Sequence, residues 1–106
     1  MNESSPNPLR VAIVVPTYNE AETLPVLIEK VREQNIAGLG FVVVDDGSPD
    51  GTGDIADAIA DEFDGVFIVL HREGKQGLGS AYRAGFQAAL DAGAERIFEM
   101  DADLSH

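Results

Sequence analysis

Residues 11–31 read VAIVVPTYNEAETLPVLIEKV, and the organisation of this stretch decides the fold. A short, continuous apolar run at residues 11–15 is typical of a strand buried on both faces of a sheet. The second half is typical of a helix with one buried face, because its apolar side chains are three and four positions apart: Leu24, Leu27, Ile28 and Val31. The stretch therefore predicts a strand followed by a helix, which is the repeating unit of a parallel sheet.

The junction between this strand and this helix carries its own signals. Pro16 follows the apolar run and is expected to close the strand, because proline has no N–H to donate to a sheet. Asn19 is a residue type that caps helices, and Glu20 and Glu22 would place negative charge in the first helical turn. We therefore expect the first helix to begin near Asn19.

The same unit then repeats along the chain. An apolar run at residues 41–44 leads into the turn-rich sequence DDGSPDG at residues 45–51. A helix is expected next, with Ile55, Ile59 and Phe63 on its inner face, followed by a third strand at residues 66–70.

The last unit contains a helix with a face of small residues. After a loop at residues 71–77, a helix is predicted over residues 78–92, ended by Gly93, and a fourth strand over residues 96–100. One face of the helix would allow close packing on the sheet, because it carries only small side chains: Ala81, Gly85, Ala88 and Ala89. The alternation predicts an α/β fold of Rossmann-like βαβ units with a mainly parallel sheet. This domain would span residues 10–106, after a flexible N-terminal tail at residues 1–9.

Composition narrows the classes of function. The chain has 106 residues and a formal net charge of -12, from 19 acidic and 7 basic side chains. Such acidity argues against nucleic acid as a partner, because binding to a phosphate backbone relies on clustered Lys and Arg. The absence of cysteine excludes disulfides, thiolate zinc sites and cysteine nucleophiles. No apolar run approaches the roughly 20 residues that span a bilayer, so a cytoplasmic location is expected.

The polar residues of the sequence collect where the predicted strands end. In open α/β sheets, ligands bind beyond the carboxyl ends of the strands, where loops and helix N-termini converge. The sequence that follows the first strand is PTYNE, the second strand leads into DDGS, and the fourth leads into DAD. These elements are therefore expected to meet at one edge of the sheet.

Asp101 and Asp103 follow the fourth strand with one residue between them. Two carboxylates in such a segment supply the hard oxygen ligands that a divalent cation bridging phosphate oxygens prefers. By itself the pair is a weak signal, because solvated turns and helix caps account for most pairs of this kind. Its interpretation as a metal site depends on the other strand ends.

Three further elements could contact a nucleotide. Of the acidic pair after the second strand, one carboxylate would cap the turn, and Asp46 is expected to face the ligand crevice. Tyr18 with Pro16 could pack on a nucleobase while Glu20 accepts hydrogen bonds from it, since a flat ring and a carboxylate suit that ligand. The run GKQGLG at residues 74–79 offers backbone N–H groups and the Lys75 cation ahead of a helix, as a neighbour for a diphosphate.

Read together, these segments resemble a known family. The sequence contains VVPTYNE, then VVDDGSPDGT, then KQGLGSAY, then EMDADLSH, in this order and spacing. They look like family 2 glycosyltransferases of the GT-A fold, and most like its dolichyl- or polyprenyl-phosphate mannosyltransferases. The resemblance runs from about residue 11 to residue 106 and is more specific than any single motif. It implies that this chain is the part that binds the nucleotide sugar.

The resemblance implies an activity and a set of site residues. The activity would be inverting transfer of mannose from GDP-mannose to a polyprenyl (dolichyl) phosphate, aided by Mg²⁺ or Mn²⁺. By position, the guanosine contacts would be Pro16, Tyr18, Glu20, Val44 and Asp46. Asp101 and Asp103 would match the metal-binding acids through which the reaction is catalysed, Ala102 would line the nucleotide pocket, and Ser105 would match a further ligand on the metal side.

The resemblance also sets expectations for the rest of the protein. Because the acceptor-binding part of relatives follows their fourth strand, we expect this chain to be cut after the acidic motif and to be a donor-binding part. The full-length parent would work at a polyprenyl phosphate on the cytoplasmic face of the membrane, as a peripheral protein. The strand at residues 96–100 would lie at an exposed sheet edge, a place for self-association.

Two alternatives remain open at this stage. A related family 2 enzyme could use UDP-glucose or another nucleotide sugar. A protein of another class, either a non-catalytic nucleotide-binding module or a signalling receiver domain, could also carry an acidic pair at a strand end. A receiver needs an aspartate that accepts phosphate at the end of its third strand, whereas here the third strand leads into His71 and Arg72.

Overall fold

The computed structural model describes residues 9–74 and 76–102. Within them strands and helices alternate, in the order β1 (Val11–Thr17), α1 (Leu24–Arg32), β2 (Leu39–Asp45), α2 (Thr52–Glu62), β3 (Phe67–His71), α3 (Leu78–Asp91) and β4 (Arg96–Glu99). The described strands form one sheet in the order β3-β2-β1-β4, and every neighbouring pair is parallel. The predicted α/β fold of βαβ units is confirmed.

The strand order explains why the helices lie on both faces of the sheet. The chain steps from β1 to β2 to β3 in one direction and then crosses back past β2 and β1 to reach β4. Since crossovers between parallel strands are right-handed, a reversal of direction puts the following helix on the opposite face. Accordingly, α1 and α2 pack with Ile13, Val15 and Phe41, whereas α3 packs with Val14 and Val42.

The helical faces agree closely with the pattern in the sequence. The buried residues of α1 are the four predicted ones, Leu24, Leu27, Ile28 and Val31. In α2 the fully buried apolar side chain is Ala56, while Ile59 and Phe63 pack against the core from partly buried positions and Ile55 is half-buried. Among the described residues, no helix is both long and apolar enough to cross a membrane.

The predicted start of α1 near Asn19 is wrong, because α1 begins at Leu24. Asn19 has φ of 58°, outside the helical region, and its N–H donates to the Ser48 hydroxyl at 2.9 Å. The backbone at Asn19 was expected to enter the first helical turn, but it is hydrogen-bonded to the loop after β2 instead. Thr23 occupies the N-cap position and makes no side-chain capping hydrogen bond.

Pro16 does not close β1, which continues to Thr17. The register between β1 and β4 ends at the pair Val14 and Glu99, so Pro16 has a strand beside it on the β2 side alone. Proline is tolerated in a strand where one side is unpaired, because no N–H is needed there. The extra residues carry β1 to the sheet edge where the polar loops meet.

Gly85 allows α3 to lie directly on the sheet. A Cβ atom at this position would come within 2.4 Å of Val14 Cγ1 and 3.1 Å of Val44 Cγ2. Both valines are fully buried under α3, so neither has free space into which it could move. The small face predicted for this helix is therefore a close-packing face, with Ala81, Gly85 and Ala89 buried in it.

Replacing Gly85 with Ala is expected to destabilise the domain by about 1–3 kcal/mol, the usual cost of overpacking a core. The matched control is Gly79→Ala in the same helix, where the nearest heavy atom to a Cβ is Arg83 Nη1 at 3.5 Å. The control should be neutral or slightly stabilising, because Ala favours helix over Gly. Urea denaturation followed by circular dichroism measures both. Equal stability of the two variants would contradict the close packing of α3.

Candidate active site

A cleft of about 300 Å³ opens at the carboxyl ends of the strands, where β1 and β4 are neighbours. The chain places β2 and β3 on one side of β1 and β4 on its other side. The loops after β1 and β4 therefore diverge and leave space between them. The residues that line the cleft come from the end of β1, from the segments that follow the four described strands and from the start of α3: Pro16, Thr17, Tyr18, Glu20, Asp46, Gly77, Leu78, Ala81, Asp101 and Ala102.

Six residues singled out in the sequence meet in this cleft, namely Pro16, Tyr18, Glu20, Asp46, Asp101 and Ala102. Val44 does not reach it with its side chain, which is fully buried in the core under α3. Three others, Lys75, Asp103 and Ser105, lie outside the described residues. Gly77 and Leu78, from the run GKQGLG that was predicted to neighbour a diphosphate, also line the cleft. Thr17 and Ala81 line it as well, and the sequence analysis assigned neither of them to the site.

The two acidic residues after β2 have separate surroundings. Asp45 is 3% exposed, and its carboxylate accepts hydrogen bonds from the Thr17 hydroxyl at 2.8 Å and from the Ser48 hydroxyl at 2.6 Å. Asp46 lies on the other side of the chain and lines the cleft. Asp45 therefore holds the turn, and Asp46 is the member of the pair at the ligand crevice.

Asp46 is paired with Arg72, a residue that the sequence reasoning did not assign to the site. Arg72 donates from Nε to Asp46 Oδ1 at 2.7 Å and from Nη2 to Oδ2 at 3.2 Å, and its Nη1 donates to the Ser80 hydroxyl at 2.8 Å. The two paired side chains are only 13% and 8% exposed. The guanidinium thus connects the loop after β2 to the first turn of α3. One signal in the sequence could have indicated this role: Arg72 directly follows the third strand, so it lies at the same edge of the sheet as the other site residues.

Asp101 has a neighbour on α3. The Tyr82 hydroxyl donates to Asp101 Oδ1 at 3.1 Å. Burial, together with this hydrogen bond to the Asp101 carboxylate, raises the pKa of Tyr82 to about 12. The tyrosine is therefore a neutral donor at physiological pH, and it orients a carboxylate that is itself exposed at the cleft.

The Tyr82 contact predicts a shifted phenol titration. The chain has two tyrosines, so Tyr18→Phe leaves Tyr82 as the sole reporter in an absorbance titration without added cation. We expect the titration midpoint of Tyr82 in Tyr18→Phe to lie near 12, above the ordinary tyrosine pKa of 10.0. The double variant Tyr18→Phe/Asp101→Asn should have a lower midpoint. Because the folded pKa is raised, the stabilisation is fully present below pH 10.0 and is lost as the pH rises through about 12. A midpoint near 10.0 in the single variant would exclude the contact.

Asp101 is the member of the predicted metal-binding pair that lies in the described part of the cleft. Asp101 provides carboxylate oxygens, which are hard ligands that fit Mg²⁺ or Mn²⁺. Across residues 9–74 and 76–102 there is no group of three or more acidic or histidine side chains that could hold a metal ion. Asp103 and Ser105, the other two residues predicted on the metal side, are outside this part of the chain. The donor chemistry at Asp101 fits such an ion.

Comparison with known proteins assigns the family. The model of the family described as "Glycosyl transferase family 2" matches residues 12–106. The chain belongs to glycosyl transferase family 2. The receiver-domain alternative is thereby set aside, in agreement with the strand order, because the flavodoxin-like order of receivers places strand three beside strand one.

Two curated bacterial proteins are similar to this chain over most of its length. It is 50% identical over 98 residues to "Undecaprenyl-phosphate mannosyltransferase" of Micrococcus luteus, covering 92% of this chain and 40% of that protein. It is 46% identical over 97 residues to "Polyprenol monophosphomannose synthase" of Mycolicibacterium smegmatis, covering 92% of this chain and 36% of that protein. The chain therefore spans less than half the length of these relatives.

A solved mannosyltransferase structure is similar to this chain. The chain matches a mannosyltransferase from Pyrobaculum calidifontis in complex with GDP-Man and Mn²⁺, with a TM-score of 0.70 and 30% sequence identity. The match covers 80% of this chain and 26% of that one. The fold is accordingly that of a GT-A glycosyltransferase, as the resemblance in the sequence implied.

Proposed function

We propose that this chain forms the donor-binding part of a mannosyltransferase, which transfers mannose from GDP-mannose to a polyprenyl phosphate with inversion. The observation that carries the proposal is the convergence of Tyr18, Glu20, Asp46 and Asp101 on one cleft at the switch point of the sheet. The similar proteins from Micrococcus luteus and Mycolicibacterium smegmatis are an undecaprenyl-phosphate mannosyltransferase and a polyprenol monophosphomannose synthase, which favours mannose and this class of acceptor.

The guanosine would lie on the β1 and β2 side of the cleft. Pro16 and the exposed ring of Tyr18 offer a flat apolar surface, and Glu20 and Asp46 offer acceptors for amino or hydroxyl groups. Asp46 can still accept from a ligand beside Arg72, because a carboxylate has about four lone-pair sites. Val44 would contribute through its backbone alone, since its side chain is buried in the core.

The diphosphate would lie on the α3 and β4 side. Gly77 and Leu78 bring the N-terminus of a 14-residue helix to the cleft, where backbone N–H groups favour anions, and Lys75 is placed by sequence beside it. Asp101, Asp103 and Ser105 would hold Mg²⁺ or Mn²⁺, with Ala102 lining the pocket between the two acids. When bound, the ion would neutralise charge on the departing diphosphate.

The acceptor chemistry needs little from this part of the protein. A polyprenyl phosphate is already ionised near neutral pH, so its oxygen can attack the anomeric carbon without a general base. The bond from that carbon to the GDP oxygen breaks as the new bond forms on the opposite face. Donor positioning and charge neutralisation are therefore the tasks that fall to the residues of this chain.

The proposed partners also include a membrane surface and a second copy of this chain. The full-length protein would act as a peripheral protein on the cytoplasmic face of a membrane, where the acceptor lipid lies. Self-association would use β4, which is a sheet edge in the described part of the chain and carries the exposed side chain of Phe98. Sedimentation of this chain tests that contact, and a strict monomer would exclude it.

The transfer itself is tested with the complete gene product. We expect mannose labelled in GDP-mannose to move into a lipid-extractable product when undecaprenyl phosphate and Mn²⁺ are present, with a β-linkage by nuclear magnetic resonance. Parallel reactions with UDP-glucose address the related family 2 alternative. Transfer from UDP-glucose without transfer from GDP-mannose would contradict the proposed donor.

A further inference from the structure

The segment at residues 18–21, which carries Tyr18 and Glu20, is bound through three consecutive backbone N–H groups. Asn19 N–H donates to the Ser48 hydroxyl at 2.9 Å, Glu20 N–H to the Thr52 hydroxyl at 3.0 Å, and Ala21 N–H to an Asp50 oxygen at 3.1 Å. The acceptors are the side chains of Ser48 and Asp50 in the β2–α2 loop and of Thr52, the first residue of α2. The segment is therefore attached to residues about thirty positions away, in addition to the hydrogen bond from Leu24 N–H to the Glu20 carbonyl at the start of α1.

The two hydroxyls in this arrangement act as relays. The Ser48 hydroxyl donates to Asp45 Oδ1 at 2.6 Å, and the Thr52 hydroxyl donates to Asp50 Oδ1. A hydroxyl has a single proton, so a carboxylate that accepts it turns the oxygen lone pairs toward the backbone N–H. Each pair thus presents a directed acceptor to residues 18–21, one at Asn19 and one at Glu20.

The carboxylates are themselves held by their own loop. Asp45 Oδ2 accepts from Ser48 N–H at 3.1 Å, and Asp50 Oδ1 accepts from Thr52 N–H at 3.0 Å. The hydrogen bond from the Thr52 hydroxyl lowers the pKa of Asp50, which favours the ionised form of this acceptor. Both carboxylate–hydroxyl pairs are consequently complete in the absence of any ligand.

The arrangement reaches the cleft through one further contact. Tyr18 N–H donates to Glu20 Oε1 at 3.1 Å, so the position of the Glu20 carboxylate depends on the backbone that the relays hold. Tyr18 and Glu20 line the cleft, whereas Asp45, Ser48, Asp50 and Thr52 are outside its lining. The four residues therefore act on the cleft indirectly, through residues 18–21 and through the hydrogen bond from the Thr17 hydroxyl to Asp45.

We propose that the Asp45–Ser48 and Asp50–Thr52 pairs are positioning residues, which hold Tyr18 and Glu20 in place for recognition of the nucleoside. This inference rests on the proposed function for its ligand. It assigns a role to four residues of the DDGSPDGT sequence that contact with a nucleotide does not explain.

The test compares three variants with wild type. Thr52 is fully buried, so Thr52→Val keeps its shape and removes the hydroxyl, while Thr52→Ser retains the hydroxyl. The control is Thr23→Val, the same chemical change at a buried hydroxyl that makes no hydrogen bond within the described residues. We expect GDP affinity to fall about tenfold in Thr52→Val, because an unpaired buried N–H is costly, and to be near wild type in the other two.

Amide hydrogen exchange supplies a readout that needs no ligand. Thr52→Val should accelerate exchange at Glu20, and Ser48→Ala should accelerate it at Asn19, while Thr52→Ser and Thr23→Val retain wild-type rates. Unchanged exchange at both amides, or equal loss of GDP affinity in Thr52→Val and Thr23→Val, would overturn the proposal. If wild type binds no GDP while the exchange pattern appears, the relays stand and the proposed function fails.

Discussion

Asp101→Asn is expected to reduce Mn²⁺-dependent binding of GDP-mannose by at least about 100-fold, since even outer-shell changes at metal sites cost 10–100-fold. The substitution removes one negative charge from the carboxylate that is proposed as a metal ligand, and it retains an oxygen that can accept from Tyr82. Loss of binding can then be attributed to the charge at the cleft rather than to the contact with α3. Calorimetric titration with and without a chelator measures the effect.

The matched control for this change is Asp64→Asn. Asp64 is exposed in the loop before β3, at the opposite edge of the sheet, and the substitution alters net charge equally. It should bind GDP-mannose like wild type. Equal binding by Asp101→Asn and wild type in the presence of Mn²⁺ would remove Asp101 from the donor site.

Arg72→Met is expected to lower the free energy of unfolding by about 3–5 kcal/mol, because it leaves the buried Asp46 carboxylate unpaired. The loss is large against a total stability of about 5–15 kcal/mol for a domain. The double variant Asp46→Leu/Arg72→Met should recover most of it, since replacing both partners of a buried ion pair with apolar side chains is often neutral. Urea denaturation of the single and double variants measures this coupling.

The exposed pair between Arg10 and Glu95 provides the comparison for Arg72. Its Nε to Oε1 distance is 3.7 Å, and its side chains are 58% and 66% exposed. Arg10→Met should therefore cost less than about 1 kcal/mol, as is usual for surface ion pairs. A similar cost for Arg10→Met and Arg72→Met would contradict the buried, bidentate character of the Asp46 contact.

The parts of the fold that depend on local pattern could be predicted from the sequence. The buried face of α1 follows from the spacing of its apolar residues, and the separate roles of Asp45 and Asp46 follow from the alternation of side chains along a strand. Convergence of Tyr18, Asp46 and Asp101 follows from the shared direction of parallel strands. Each of these inferences needs only a few consecutive residues.

The features that could not be predicted depend on contacts between distant segments. Asn19 is a residue type that caps helices, but its N–H donates to the Ser48 hydroxyl, 29 residues away in the sequence. The helix therefore begins later, at Leu24. Arg72 pairs with Asp46 because β3 lies beside β2 in a register that opposes Asp45 and His71. Neither the strand order nor this register can be read from local sequence, so the ion pair was missed.

We propose that the nucleotide sugar binds in the cleft between β1 and β4. Amide shift mapping of the ¹⁵N-labelled chain tests this binding site directly. Titration with GDP-mannose and Mg²⁺ should shift amides of residues 17, 18, 20, 46, 77, 78, 101 and 102, all of which line the cleft. A second groove, at the opposite edge of the sheet, is lined by residues 35–39 and 63–66. Shifts confined to that groove, or no shifts at saturating nucleotide, would contradict the assignment.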